Sequence, residues 1–476
     1  MNKIKITTLL LLGCFTFSSD LSLKDYLLKI TQNDPAYMQL FLNAQSIEGS
    51  LQSLQAMYDP RLSASLQYTN QEEQPSVPSK LENINTIVGS LGVTKKLEDT
   101  GTNLSLTYVR VDNSSKMSTR NLSQINPSLT LRATQPLLKD NMGVYSNMPL
   151  KRLNIQKEII ELSIKEAEEK YFLDSLNLYY DWLSLTLALE PLNISYKNAT
   201  NLHEEVKEKY RNDAALKTDL LQAENAVLIY RNALNDTLYA WNALASTIYQ
   251  KMGDNFVAEM KWENLPKRPE ICESFCQEEP MKTLPKLRII STFEKTLAQY
   301  ELDLEKINRE TMPDLSIYGE IARYKNTDSS QESFFDLTKS EYTAGAIFST
   351  SLGTNSTDGQ TKVILSNIES TKQEILKIEK ALKTQYNNNL LNLANLQKIE
   401  KNANQIAENS KAILEIETKR FSQGKTALYS LSDFRQKYTQ SKIDHLNKII
   451  AIAKLKASIA SINDSLLDKI NKLIGS

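Results

Sequence analysis

Glycine and proline are scarce: the chain has 13 of each in 476 residues, where average usage would supply roughly 33 and 24. So few breakers in so long a chain mean few turns and long uninterrupted elements. Histidine is nearly absent, with only His203 and His445, which leaves little for histidine-based catalysis or metal ligation. Charge of one sign is also missing. The 56 Lys and Arg stand against 57 Asp and Glu, a net charge of −1, and such a balance argues against nucleic acid as a partner. Mean hydropathy is −0.40, and beyond residue 20 no stretch approaches about 18 consecutive apolar residues, so no helical membrane span is expected. The length leaves room for several domains at about 100–200 residues each.

The first residues have the order of an export signal. Lys3 and Lys5 precede an apolar run from Ile6 to Phe17, and Thr16-Phe17-Ser18-Ser19 supplies small residues for cleavage, giving a signal peptide over 1–19. The run is too short to cross about 30 Å of hydrocarbon. Leu11-Leu12-Gly13-Cys14 also fits a lipobox, in which Cys14 would be acylated and become the mature N-terminus. Export would carry the chain to an oxidising compartment, where Cys272 and Cys276 are a disulfide candidate. Free thiols are the alternative, and a zinc site would lack further ligands nearby.

The remainder reads as two copies of one plan, 20–252 and 285–476, joined by a Pro- and Glu-rich linker over 253–284. Each copy runs helix, strands, very long helix, sharp turn, long helix. Asp59-Pro60-Arg61-Leu62-Ser63 is echoed by Met312-Pro313-Asp314-Leu315-Ser316, and strands are expected at about 61–69, 86–96, 102–111 and 127–137, then 314–323 and 342–351. Leu62-Ser-Ala-Ser-Leu-Gln-Tyr68 alternates with the period of a two-faced strand. Long helices are expected over 139–212, 215–252, 359–423 and 426–473. From Gln360 to Gln423 there is no Gly or Pro, a run that as one helix would reach about 95 Å. Ile364, Ile368, Thr371, Ile375, Ile378 and Leu382 recur there at coiled-coil spacing, as do Ile160, Ile164, Ala167 and Tyr171 in the first copy. Pro191 is expected to break or kink its helix. Each long helix ends at a matched turn. Lys209-Tyr210-Arg211-Asn212-Asp213 stands 211 residues before Arg420-Phe421-Ser422-Gln423-Gly424, with Gly424 and Asp213 suited to a left-handed closing residue.

This plan resembles the outer membrane efflux protein family, the TolC-like channel-tunnels of diderm bacteria. Leu21 to Pro35, with its Asn33-Asp34-Pro35 end, resembles the opening helix of that family; Thr134-Gln-Pro-Leu-Leu-Lys139 resembles its strand-to-helix junction, and Arg420-Phe-Ser-Gln-Gly424 its helix-closing turn. The resemblance implies a mainly α fold with a β-barrel part, in which long coiled-coil hairpins from three chains form a periplasmic α-barrel and their strands a 12-stranded outer membrane β-barrel. It implies a passive exit duct of a tripartite efflux pump or a type I secretion system. A periplasmic adaptor protein and an inner membrane pump or ABC exporter would be its partners. Family carboxylates that constrict the periplasmic end match Asp219 and Asp433, while Ser430 stands where many relatives carry another. Tyr210, Arg211, Asp213, Phe421 and Gly424 match turns that dock the adaptor. For Asp219 the plainer reading is a helix cap. One departure stands out: Thr86–Val93 and Asn103–Arg110 alternate and are joined by Lys95–Gly101, an additional hairpin that would either extend the barrel beyond 12 strands or project outside the cell.

Elementary physics is consistent with that picture. A chain without a membrane helix spans a bilayer only as a closed barrel, and a few strands per chain close a channel only if chains pool them. Leu62, Ala64, Leu66 and Tyr68 would face lipid, and Ser63, Ser65 and Gln67 water. No phosphate-binding glycine loop and no catalytic triad can be assembled, so no enzyme activity, cofactor or metal is expected. Asp99-Thr100-Gly101 reads as a hairpin tip rather than half of an aspartic dyad, and His203-Glu204-Glu205 lacks a second histidine, since position 207 is Lys. The same helical stripes would also suit a periplasmic coiled-coil structural or adhesive protein without a pore.

Overall fold

The structure is a computed structural model that describes residues 21–72, 81–117, 120–254, 286–325 and 337–475. The export segment with Cys14, and the linker cysteines Cys272 and Cys276, lie outside the described residues. In chain order the elements are α1 (Leu23–Asn33), α2 (Pro35–Gln55), β1 (Arg61–Glu72), β2 (Leu81–Lys96), β3 (Asn103–Met117), β4 (Arg120–Pro136), α3 (Val144–Arg211), α4 (Lys217–Lys251), α5 (Arg288–Glu310), β5 (Asp314–Tyr324), β6 (Lys339–Ser349), α6 (Asn355–Ser422), α7 (Leu428–Ile462) and α8 (Leu466–Gly475).

The duplication is regular to the residue in the four long helices. α3 and α6 both have 68 residues, α4 and α7 both have 35, and each pair is displaced by 211 positions at both ends. All four helices close alike. Asp213, Gly253, Gly424 and Asp464 take left-handed φ of 56°, 73°, 69° and 51°, and the next amide reaches back five residues, as in Ala214 N to Lys209 O at 2.8 Å and Lys425 N to Arg420 O at 2.9 Å. Asp464 corrects one expectation. The last long helix does not continue to 473 but ends at Ile462, because Ser465 N bonds Ala460 O at 2.9 Å and turns the chain before α8. Pro191 does not break its helix, since α3 runs through it. Its neighbours Leu187, Leu189 and Leu192 are all buried in one core, and at about 1.5–3 kcal/mol each that burial outweighs the roughly 3 kcal/mol a helical proline costs.

The chain divides into two compact units. Of the described residues, the first holds 21–41, 164–254, 286–288 and 378–475. Its core joins Tyr26, Leu27 and Ile30 of α1 to Leu176, Tyr179 and Leu183 of α3, Leu234 and Trp241 of α4, Ile450 and Ala457 of α7, and Leu466 and Ile470 of α8. Two polar ties lock this core. The Asn33-Asp34-Pro35 motif ends α1 and starts α2, and its side chains reach α3 and the end of α4. Asn33 Nδ2 donates to Met252 O at 2.8 Å, while Asp34 accepts from Tyr171 Oη at 2.6 Å and Lys251 Nζ at 3.0 Å. In the second tie, Arg288 pairs with Glu169, which is 1% exposed, with Asp464 at 3.3 Å and with Glu166 at 3.8 Å.

Burial alone would raise the Asp34 carboxyl, but the Tyr171 hydroxyl, the Ala36 amide and Lys251 outweigh it and hold the group below its ordinary value. A depressed native pKa adds stability above the unfolded value of about 3.9 and loses it as pH falls through the native one. Asp34→Asn should therefore cost about 2 kcal/mol at pH 7, on the scale of hydrogen bonds to a charged group. The gap to the parent should narrow in thermal melts below pH 4; a gap independent of pH would show that the charge of Asp34 contributes nothing.

Of the described residues, the second unit holds those within 42–163 and 289–377. Its centre is one antiparallel sheet in the order β1-β2-β3-β4-β5-β6, six strands where the resemblance implies four per chain. Register sorts the side chains into two faces. Leu62↔Val93↔Leu106↔Leu131↔Ile321↔Tyr342 cross the sheet on one face, and Ser65↔Ser90↔Val109↔Ser128↔Tyr324↔Lys339 cross it on the other. Leu66, at 81% exposure, belongs to the apolar face. The polar face is knitted by hydrogen bonds such as Ser65 to Ser90 and Thr86 to Asn113, each 2.8 Å, and Arg132 lies 4.1 Å over the Tyr318 ring. Beside the sheet, α5 is tied to the start of α3 by Arg152–Asp303 at 3.0 Å and Tyr145–Glu310 at 2.9 Å.

Candidate functional site

Two places follow from the sequence reading: the paired helix turns and the two-faced sheet. The structure brings both turns together in the first unit. Leu202 and Val206 of α3, Ala223 of α4, and Leu428 and Leu431 of α7 are buried in one small cluster, with Leu220 of α4 and Leu414 and Phe421 of α6 packed around it. Lys209 sits 5.8 Å over the Phe421 ring, linking one turn to the other. Phe421 is thus a packing residue at the base of the turns, whereas Tyr210, Arg211, Asp213 and Gly424 are exposed at their ends. Leu216 and Tyr429, 69% and 66% exposed, add apolar surface at the same ends.

The gate candidates differ in surroundings. Asp219 is the third residue of α4, and its carboxylate accepts the Leu216 amide at 3.2 Å, so it also caps the helix. Ser430 holds the matching third position of α7. Asp433 lies nearly one helical turn further on, where Lys437 donates to it at 2.7 Å. All three follow the turns within the first two turns of the returning helices.

Some residues carry no signal in a single sequence. Glu417 holds the second turn by accepting from Thr426 Oγ1 at 2.7 Å and from Arg420 at 3.1 Å, while the matching position of the first copy is Val206. Arg435 of α7 sits beside Tyr230 of α4, and burial pulls its guanidinium below the ordinary arginine value against the counter-effect of Tyr230. Deeper between the helices, Ser195 and Thr439 are hydrogen-bonded at 2.6 Å. Among the described residues no cluster of metal-ligating side chains is present, and no helix is long and apolar enough to cross a membrane.

The sheet supplies the other candidate. Its apolar face, exposed at Leu62, Leu66, Tyr68, Ile87, Leu91, Leu106, Leu131, Ile317, Ile321 and Tyr342, is far larger than a soluble protein leaves in water. The opposite face is lined mainly by Ser, Thr, Asn, Gln and charged residues, with Val88, Val109, Val111 and Ile347 among them. Such alternation, one face for hydrocarbon and one for water, is the pattern of a barrel wall.

No protein-family model matches the chain, and no curated protein matches it. Solved structures do. The chain is similar to CusC, a structure described in terms of transmembrane channel formation, at a TM-score of 0.69 and 11% identity over 94% of this chain and 93% of that one. It is similar to the outer membrane channel CmeC of Campylobacter jejuni at a TM-score of 0.67 and 11% identity, covering 93% and 86% of the two chains. For the open state of the MtrE outer membrane channel of Neisseria gonorrhoeae the TM-score is 0.61 at 10% identity, with 93% and 89% covered. At these identities the likeness is one of fold, and the chain has the fold of outer membrane channels that its opening helix, strand-to-helix junction and helix-closing turns resemble.

Proposed function

We propose that this protein is a passive outer membrane channel-tunnel, three copies of which form a continuous duct from the periplasm to the outside. The observation that carries this reading is the sheet with one apolar and one polar face, which ends at β1 and β6 without closing on itself. Neither face nor edge is stable alone in a bilayer, where every backbone group needs a partner. The helices support the same assembly. α6 has 68 residues, of which only Tyr386, Leu393 and Ala407 are buried, yet Leu391, Ile399, Ile406 and Ile413 stand exposed at near-heptad spacing. A stripe of that kind requires a partner helix, and a second copy of the chain supplies it.

With no nucleotide site, transport would be powered elsewhere. A periplasmic adaptor docking on Tyr210, Arg211, Asp213 and Gly424, with Phe421 packed beneath them and an inner membrane pump or ABC exporter behind the adaptor, fits an efflux or type I secretion duct. Asp219 and Asp433, repeated in three copies, would ring the periplasmic end with negative charge, and Ser430 leaves that ring one carboxylate poorer at each site. The double substitution Asp219→Ala with Asp433→Ala should raise single-channel conductance severalfold, whereas unchanged conductance would reduce the pair to a helix cap and an intrahelical ion pair. Oligomeric state tests the whole reading. A heat-resistant trimer on denaturing gels is expected, and a monomeric species that extracts without detergent would favour a pore-free periplasmic coiled-coil protein.

A further inference from the structure

We propose that the barrel wall of this protein has six strands from each of three copies, eighteen in all, with β1 of one copy seamed to β6 of the next. The copy number rests on the channel reading above; the strands per copy rest on this chain's own sheet.

The added hairpin β2–β3 is built into the wall along its whole length. Every residue of β1 from Arg61 to Glu72 is paired to β2, between Thr94 and Asn83, and β3 is paired to β4 from Asn103↔Thr134 to Met117↔Arg120. Two strands therefore separate β1 from β4, a gap of roughly 14 Å at the usual strand spacing. The helical offset measures the insertion independently. Pro60 and Pro313 are 253 residues apart, but the long helices are displaced by only 211, so the first copy carries a net gain between its first strand and its long helix. Toward their turn β2 and β3 also share the faces of the other strands, with Leu91, Val93, Leu104 and Leu106 on the apolar side and Ser90, Ser105 and Thr107 on the polar side, whereas further along β3 the Arg110–Asp112 ion pair lies on the apolar side and Val109 and Val111 on the polar side. A hairpin standing in water would not need that division.

Its turn excludes an outward projection. Residues 97–102 close at the same end of the sheet where β1 begins and β4 ends, against the start of α3. Lys96 Nζ pairs with Asp140 at 2.8 Å, Asn147 Nδ2 donates to Glu98 O at 3.2 Å, and Gln135 Nε2 donates to Thr100 O at 3.0 Å. Gly101 and Gly143 meet there with φ of 70° and 68°, so close that a Cβ on Gly101 would lie 2.9 Å from the Gly143 Cα. Only glycine permits both the left-handed turn and that approach.

The edges complete the case. An even number of strands in an antiparallel meander leaves β1 and β6 running in opposite directions, so β6 of one copy meets β1 of the next as one more antiparallel pair. Their lengths match, 12 and 11 residues, and neither contains the proline or mid-strand lysine with which proteins blunt an edge. Barrel diameter grows roughly in proportion to strand number, which makes this mouth about one and a half times as wide as a 12-stranded one.

Electron cryomicroscopy of the full-length protein in lipid nanodiscs counts the strands directly. Eighteen strands around one pore, with residues 81–117 inside the wall, is the expected result. Twelve strands with β1 beside β4 and 81–117 outside the wall would overturn the proposal and leave the channel reading intact. A single chain with an unclosed sheet would remove the channel reading and this proposal together.

Discussion

Replacing Arg288 with alanine is expected to destabilise the helical unit by about 3–5 kcal/mol, because it removes the cation that pairs with buried carboxylates. Glu169 is 1% exposed and Asp464 is 8% exposed, and Arg288 pairs with both. Asp464 has further structural duties: it takes the left-handed turn between α7 and α8, and it accepts the Arg288 amide at 2.6 Å. Burial and the neighbouring Asp464 charge already push the Glu166 carboxyl upward, with Arg288 as the opposing influence. Chemical denaturation followed by helical circular dichroism should show the loss. A triple variant, Arg288→Met with Glu169→Gln and Asp464→Asn, should recover much of it, since a neutral replacement removes the stranded charge. If Arg288→Ala melts within about 0.5 kcal/mol of the parent, the range typical of innocuous surface changes, the network is not what holds these helices.

Leu66→Arg should prevent stable assembly in membranes, while Ser65→Arg one residue away should be tolerated. The two positions are neighbours in β1 but lie on opposite faces, Leu66 across from Gly89 and Ser65 across from Ser90. An arginine on the lipid face costs about 2–4 kcal/mol at the bilayer midplane and about 0–1 kcal/mol near the interfaces, and the cost would recur in every copy. On the polar face the same side chain would meet water. The yield of heat-resistant oligomer in the membrane fraction distinguishes them. Equal yields for both variants would mean that the apolar face does not meet hydrocarbon.

The legible parts of this molecule are those written in periodicity. Long helices without Gly or Pro, period-2 strands and the matched turns around Asp213 and Gly424 are local patterns, and a single sequence carries local patterns well. The alternation of Thr86–Val93 and Asn103–Arg110 disclosed a hairpin but not its neighbours, because pairing partners are set by register across distant strands rather than by anything within the run. Pro191 is the opposite case. Its local penalty is real, yet the burial of Leu187, Leu189 and Leu192 around it is a tertiary effect that no window of sequence shows. Glu417, Arg435 and Arg288 were likewise invisible as site residues, since what distinguishes them from other surface charges is only where the fold puts them. Asp34 was visible as part of the opening motif, but its reach to Tyr171 and Lys251 emerged only from the packed helices.

Planar lipid bilayers give the shortest route to the central question. Purified protein added to one chamber should insert to produce uniform, long-lived current steps, carried by a species that migrates as three copies. Silent membranes, with the protein recovered as a water-soluble single chain, would mean that the two-faced sheet encloses no pore.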